Sequence, residues 1–335
     1  MKTSEIFNSD YLVASENYSE AMSSVVLPAL KARETQTTLS AKDGTPLYCV
    51  SYNADSSVGT VLVLHGFTEN AYKYSELIYS LLNNGFSVVA YDQRGHGRSG
   101  RVKGLSDSSV THVDRFEDYV DDLSLVCGRL LAPMPKPHLI FSHSMGGAVA
   151  ALYMESHPET FAAAFFCAPM IAPNTSGVPV FAASAICGAA RLLGRGDHRP
   201  FFIKPWHGPE DFATSCATDP ARFAWYDAVK TARDEFHNSV PTYQWTSEAV
   251  KVTRKILAAG APEKIPCPVM LSTAEHDFSV MPDPQKDFIG RVPHGKHVFV
   301  SGARHEIFRS TNDVFFPWWH DVLSFFRSAV PSSGT

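Results

Sequence analysis

The sequence predicts an α/β protein, with a mostly parallel sheet wrapped by helices. Short, continuous apolar runs at 60–64, 86–91, 138–141, 161–168, 268–273 and 297–301 have the length and composition of strands covered on both faces. Between most of them lie segments with helical apolar spacing, the alternation that builds parallel sheets. At 335 residues and 44% hydrophobic, the chain can bury one large core with room for an insertion.

Composition excludes several classes. Charged residues make up 19% and the net charge is −5, a balance that argues against a nucleic-acid binder, so no nucleic acid is expected as a partner. Six cysteines are scattered through apolar runs without a C-x-x-C pair, which reads as buried free thiols in a reducing compartment. No basic stretch followed by an apolar run opens the chain, so no secretory signal is visible. The most apolar stretch, 178–193, is short for a bilayer span and is interrupted by Gly188.

Taken in order, residues 1–35 have mixed polarity and read as a leader packed on the outside. Alternating segments at 37–41 and 47–52 flank Asp43-Gly44, a hairpin signal. The 60–64 strand runs into His65-Gly66-Phe67-Thr68-Glu69-Asn70, and helical spacing starts at Ala71. The 86–91 strand runs into Asp92-Gln93-Arg94-Gly95-His96-Gly97-Arg98-Ser99-Gly100, whose glycines imply a tight loop with Asp92 and Arg94 as its pins. A phosphate cradle fits less well, because the G-x-x-x-x-G-K spacing is missing.

Thr111 is the expected cap of a helix carrying Val113, Phe116, Val120, Leu123, Val126 and Leu130 on its apolar face. The opposite row, Asp114, Glu117, Asp118, Asp121 and Asp122, is read as a solvated face rather than a metal site. After the strand at 161–168 the alternation lapses, with helices expected at 178–193, 220–237 and 247–259. It resumes with the strand at 268–273, a helix at 282–290, the strand at 297–301 and a helix at 312–329. The expected division is a leader at 1–35, a core at 36–168 and 266–335, and a helical lid at 169–265. The lid is inserted after the sixth strand, above the carboxyl ends of the strands where ligands bind in such sheets.

The candidate site centres on Ser142-His143-Ser144-Met145-Gly146-Gly147, between a strand and a small-residue helix. In that context a tight turn of the G-x-S-x-G type presents a serine hydroxyl at the sheet edge, which makes Ser144 the candidate nucleophile. On pattern alone S-x-S-x-G is weak, and a serine-capped turn is the simpler reading. Serine needs a base and a group to orient that base, in the chain order Ser, Asp or Glu, His. Two later loops at the same sheet edge offer Asp277, with Glu275 and Asp283 as competitors, and His305. His294 and His297 precede the last strand and fall at the wrong end. Oxyanion stabilisation requires two backbone N–H groups, expected from Met145 and from Phe67 after His65-Gly66.

Together, His65-Gly66, the 92–100 loop, SHSMGG at 142–147, Asp277 and His305 resemble the α/β-hydrolase fold, in the branch of monoacylglycerol lipases and bacterial lysophospholipases. The segments AYKYSEL at 71–77, HVDRFEDYVDDL at 112–123 and PTYQW at 241–245 are similar to the bacterial inner-membrane lysophospholipase type. The likeness runs from about residue 35 to the end, and Ser142 departs from it where many relatives carry glycine.

The resemblance implies a serine hydrolase that cleaves lysophospholipids or monoacylglycerols through an acyl-enzyme, with no cofactor and no metal. The expected partner is a small lipid ester. The implied location is cytoplasmic, with the lid as the part that could meet the inner membrane. The apolar run at 178–193, with Arg191, Arg195, His198, Arg199 and Lys204 just after its core, either packs the lid or faces lipid. A general carboxylesterase and a non-catalytic lipid-binding module on the same fold are the alternatives.

Overall fold

The computed structural model describes residues 6–101, 105, 107–175 and 177–331. The first five residues of the expected leader and the last four of the expected core lie outside them.

Eight strands form the main sheet: β1 (Glu34–Ser40), β2 (Pro46–Tyr52), β3 (Gly59–Leu64), β4 (Phe86–Tyr91), β5 (His138–His143), β6 (Ala163–Cys167), β7 (Val269–Ala274) and β8 (Gly295–Val300). Their spatial order is β1-β2-β4-β3-β5-β6-β7-β8. β1 and β2 form an antiparallel hairpin, and β2 runs antiparallel to β4. From β4 to β8 every pairing is parallel. The expected sheet is therefore present, with its hairpin turning at Asp43-Gly44, where Gly44 adopts φ +86°.

Strands β3 to β7 are buried along their whole length because helices cover both faces, which is why their sequences are apolar runs rather than alternations. On one face, Val63, Ala90, Phe141 and Phe165 pack under α1 (Ser75–Asn83) and α8 (Asn312–Ser328). On the other, Leu62, Val89, Ile140 and Phe166 pack under α2 (Glu117–Val126) and α3 (Met145–Ser156). Residues 6–33, expected as an outer leader, supply Leu12, Val13, Met22 and Val26 to the first of these layers without exposed surface. Glu76 in α1 holds this segment by accepting from the Val13 N–H and the Tyr18 hydroxyl, both at 2.9 Å.

Between β6 and β7 the chain forms α4 (Val180–Leu192), α5 (Pro220–Thr231) and α6 (Tyr243–Ile256), and α7 (Pro282–Arg291) follows β7. α6 begins earlier than the spacing suggests because the Thr242 hydroxyl caps it, accepting from the Trp245 N–H at 3.1 Å. Arg222 in α5 fastens this segment: its guanidinium reaches Glu76 and Asp219 and stacks over Tyr18 and Phe315. α4 leaves Phe181, Leu192 and Leu193 more than three-quarters exposed.

Two further expectations are corrected. Thr111 does not cap a helix: Val110–Thr111 pairs with Val240–Pro241 in a short parallel bridge, and its hydroxyl accepts from Asn238 at 2.8 Å. Asp122 is not solvated. It is buried and receives both Nε and Nη2 of Arg94, at 2.6 and 2.7 Å, while the third arm of Arg94 reaches Asp43. Burial pushes the Asp122 carboxyl up to about 6 despite this pairing. No helix among the described residues is long and apolar enough to cross a membrane.

Candidate active site

Ser144 stands where β5 gives way to α3, with φ 49° and ψ −118°. A non-glycine residue at positive φ is strained by about 1–3 kcal/mol. Neighbouring backbone holds it there: its N–H donates to the Cys167 carbonyl at 3.1 Å, and its carbonyl accepts from Gly147 at 2.9 Å and Met170 at 2.8 Å. The two glycines that follow are sterically required. A Cβ at Gly146 would lie 2.6 Å from the Leu64 and His65 carbonyl oxygens, and one at Gly147 would lie 2.5 Å from Pro169 Cβ. Ser142, where a glycine was the expectation, is fully buried and donates its hydroxyl to the Phe165 carbonyl at 3.3 Å.

The loops after β7 and β8 bring Asp277 and His305 together. His305 Nδ1 lies 2.7 Å from Asp277 Oδ2. The other oxygen, Oδ1, accepts from the Ser279 and Val280 N–H groups at 2.8 and 3.1 Å, so the carboxylate is fixed on both sides. Burial alone would raise Asp277, but His305 and these N–H groups hold it below the usual carboxylate range. Burial alone would lower His305, yet Asp277, with smaller contributions from Glu306 and Glu69, holds the imidazole above its ordinary value. The competing acids are engaged elsewhere. Glu275 accepts from Ser301 and the Gly302 N–H, and Asp283 pairs with Lys286 at the start of α7.

His143 and Gly66 connect these groups. The His143 ring lies 4.8 Å from that of His305, and its Nε2 is 3.2 Å from the His305 carbonyl oxygen. A Cβ on Gly66 would stand 2.9 Å from Ser144 Cβ, so the β3 loop closes directly on the serine. Next along that loop, the Phe67 ring packs on Trp245 at 4.1 Å and meets the edge of His96 at 5.7 Å. Met145 is buried and opens α3, where first-turn N–H groups lack intrahelical acceptors. His65 locks the β3 loop to the β4 loop. Its Nε2 accepts from the Gln93 N–H at 2.8 Å, which leaves the proton on Nδ1 to donate to the Gly66 carbonyl at 2.7 Å.

Sequence reasoning missed a buried ionic chain beneath this rim. Glu69 Oε2 accepts from the Gly66 N–H at 2.7 Å and the Tyr74 hydroxyl at 2.6 Å, and it faces His143 Nδ1 at 3.0 Å. Its Oε1 meets Lys73, which also contacts Glu306, and Glu306 pairs with Arg309. Burial would raise both carboxylates, but Lys73 draws Glu69 well below its usual value and, with Arg309, holds Glu306 at about 2. The sequence carried one signal for it, the Glu69 to Lys73 spacing of four. Among the described residues no His, Cys, Asp or Glu cluster is arranged to hold a metal ion.

Comparison with known proteins places the chain. Lysophospholipase L2 of Escherichia coli strain K12 is 30% identical over 303 residues, 87% of each chain. Among solved structures, a thermostable carboxyl esterase from Bacillus coagulans superposes with a TM-score of 0.72 at 18% identity, covering 89% of this chain and 99% of that one. A soluble variant of monoglyceride lipase from Saccharomyces cerevisiae gives 0.67 at 20% identity, covering 90% and 97%. These structures share the α/β-hydrolase fold. A family model described as serine aminopeptidase, S33 matches residues 55–312, and the chain belongs to that family of α/β hydrolases.

Proposed function

We propose that the protein is a serine-dependent carboxylic ester hydrolase acting on single-chain lipid esters, lysophospholipids or monoacylglycerols. The observation that carries this reading is the buried Asp277–His305 hydrogen bond in the loop cluster that also holds Ser144 on a strained turn. With Nδ1–H of His305 donating to Asp277, Nε2 is the basic nitrogen. It accepts the Ser144 proton as the oxygen attacks the ester carbonyl. The Phe67 and Met145 N–H groups stabilise the oxyanion. Collapse of the tetrahedral intermediate breaks the bond to the alcohol, which leaves with the proton from His305. Water then repeats the sequence on the acyl-enzyme, releasing the fatty acid and restoring Ser144.

An ester fits this site better than a peptide amino terminus, despite the family's description. Holding a substrate ammonium needs an uncommitted carboxylate, and Glu69 and Glu306 are already neutralised by Lys73 and Arg309. The lipid preference is supported by the likeness to lysophospholipase L2 and by the exposed apolar surface of the 169–265 segment. In this reading that segment is a cap over the core of 36–168 and 266–335. Its exposed Phe181, Leu192 and Phe201, flanked by Arg191, Arg195, Arg199 and Lys204, form the part that meets a lipid surface.

The test compares purified protein on lysophosphatidylcholine, a monoacylglycerol, a short-chain p-nitrophenyl ester and an aminoacyl p-nitroanilide. Hydrolysis of a lipid ester above the other two, with fluorophosphonate labelling abolished by Ser144→Ala, is the expected result. Turnover of the anilide alone, or unlabelled wild-type protein, would overturn it.

A further inference from the structure

A cavity of about 380 Å³ lies between the amino-terminal helical segment, the β1–β2 edge and the loop after β4. That volume falls within the range of roughly 300–1,000 Å³ typical of small-molecule sites. None of Ser144, Asp277, His305, Phe67 and Met145 lines it. Leu27, Leu30, Val50 and Ala71 give it an apolar interior, and Tyr48, Tyr72 and Phe236 give it aromatic walls.

Two guanidinium groups line the same space. Arg98 lies 4.7 Å from the centre of the Tyr48 ring and 5.9 Å from that of Phe236. Arg233 lies 4.6 Å from the centre of Tyr72 and 5.4 Å from the same Phe236 ring. Both cations therefore stand against the same Phe236 ring, and among the described residues neither forms an ion pair with a carboxylate within 4 Å. Ring stacking occupies the guanidinium planes and leaves most of their five N–H donors directed sideways. Arg98 spends one of them on the Tyr48 hydroxyl at 2.5 Å, and Arg233 spends one on the Tyr72 hydroxyl.

The carboxylates of the lining are already engaged. Asp92 accepts from the Ala71 and Arg98 N–H groups at 2.7 and 2.8 Å, and Glu34 pairs with Lys31 at 2.9 Å. Two converging cations with free donors, set against an apolar interior, match an anionic head on a single hydrocarbon chain. We infer that this cavity binds a single-chain anionic amphiphile, its carboxylate or phosphate between Arg98 and Arg233 and its chain along Leu27, Leu30 and Val50. The inference stands apart from the hydrolase reading, because binding requires no turnover.

The experiment titrates Ser144→Ala protein calorimetrically with dodecanoate, dodecyl phosphate and dodecanol, each below its micelle concentration. Saturable binding of at least one anion, roughly tenfold tighter than dodecanol, is expected. Which anion binds identifies the head group, a free fatty acid or a phosphate ester. The Arg98→Gln, Arg233→Gln double variant should weaken that binding by about tenfold or more at an unchanged melting temperature. Leu27→Trp fills the apolar end without touching either cation and should weaken it independently. Absence of saturable binding, equal affinity for dodecanol, or anion binding unaltered in both variants would overturn the proposal.

Discussion

Asp277 grips Nδ1 of His305 at 2.7 Å, while two backbone N–H groups fix the opposite oxygen of the carboxylate. The pair is buried, so its mutual attraction is little screened and sets the protonation of both groups.

This relationship has a pH signature. His305 must be neutral to accept a proton, and Asp277 holds its imidazole above the ordinary value. Activity should therefore fall on the acid side through a pKa above about 6.5. Asp277→Asn should cut kcat/KM by about 10⁴-fold and move that acid limb to lower pH. A pH–rate profile of both proteins checks this, and an unmoved limb would show that the titrating group is another residue.

Lys73 is shared by two buried carboxylates, and its removal takes the lysine cation from Glu69 and leaves Glu306 with Arg309 alone. Lys73→Met should destabilise the protein by about 3–5 kcal/mol. Both carboxylates are depressed in the native state, so they contribute stability above their unfolded values. That contribution is lost as pH falls through the depressed values, about 2 for Glu306. Without the cation their values rise, and the variant's deficit against wild type should narrow as pH is lowered toward the ordinary carboxylate range. Urea unfolding at two pH values reads this directly.

How far the sequence foretold this molecule differs between sheet and site. Runs such as 60–64 and 86–91 are apolar because both faces are covered, so strand identity and order are written locally. Local pattern also suggested a cap at Thr111 and a wet face at Asp122. Each was overturned by a partner far along the chain, Asn238 for the first and Arg94 for the second. The candidates Ser144, Asp277 and His305 were chosen by chain order and strand-end position, and the structure sets the last two in hydrogen-bond contact. The ionic chain was not, because Lys73 and Glu306 are 233 residues apart and nothing in either neighbourhood names the other.

Gly146 has no room for a methyl group, since the obstacles are backbone carbonyls that cannot rotate aside. Gly146→Ala should cost about 1–3 kcal/mol and slow fluorophosphonate labelling of Ser144. A melting curve with a labelling time course tests both, and Gly128→Ala, where no atom lies within 4 Å, is the control.

The outward side chains of the 169–265 segment separate interfacial from soluble turnover. Phe181→Ser, Leu192→Ser and Phe201→Ser together remove three exposed apolar groups, each contributing about 1.5–3 kcal/mol when fully buried in lipid. Activity on micellar lysophosphatidylcholine should fall by roughly tenfold or more, with hydrolysis of a short ester unchanged. Arg195→Ala with Arg199→Ala should likewise lower activity on the phosphocholine substrate more than on the ester. Equal losses on both substrates would remove the interfacial role.

The Glu69–Lys73–Glu306 chain also governs how the rim can open. Glu69 accepts from the Gly66 N–H and faces His143 beside the serine, Lys73 links it to Glu306, and Glu306 directly follows His305. Fraying of any one of these loops would expose a naked ion to the interior, so the three loosen or hold in concert. The rim should therefore open as a single cooperative unit, and hydrogen exchange should show the amides of its loops exchanging together rather than loop by loop.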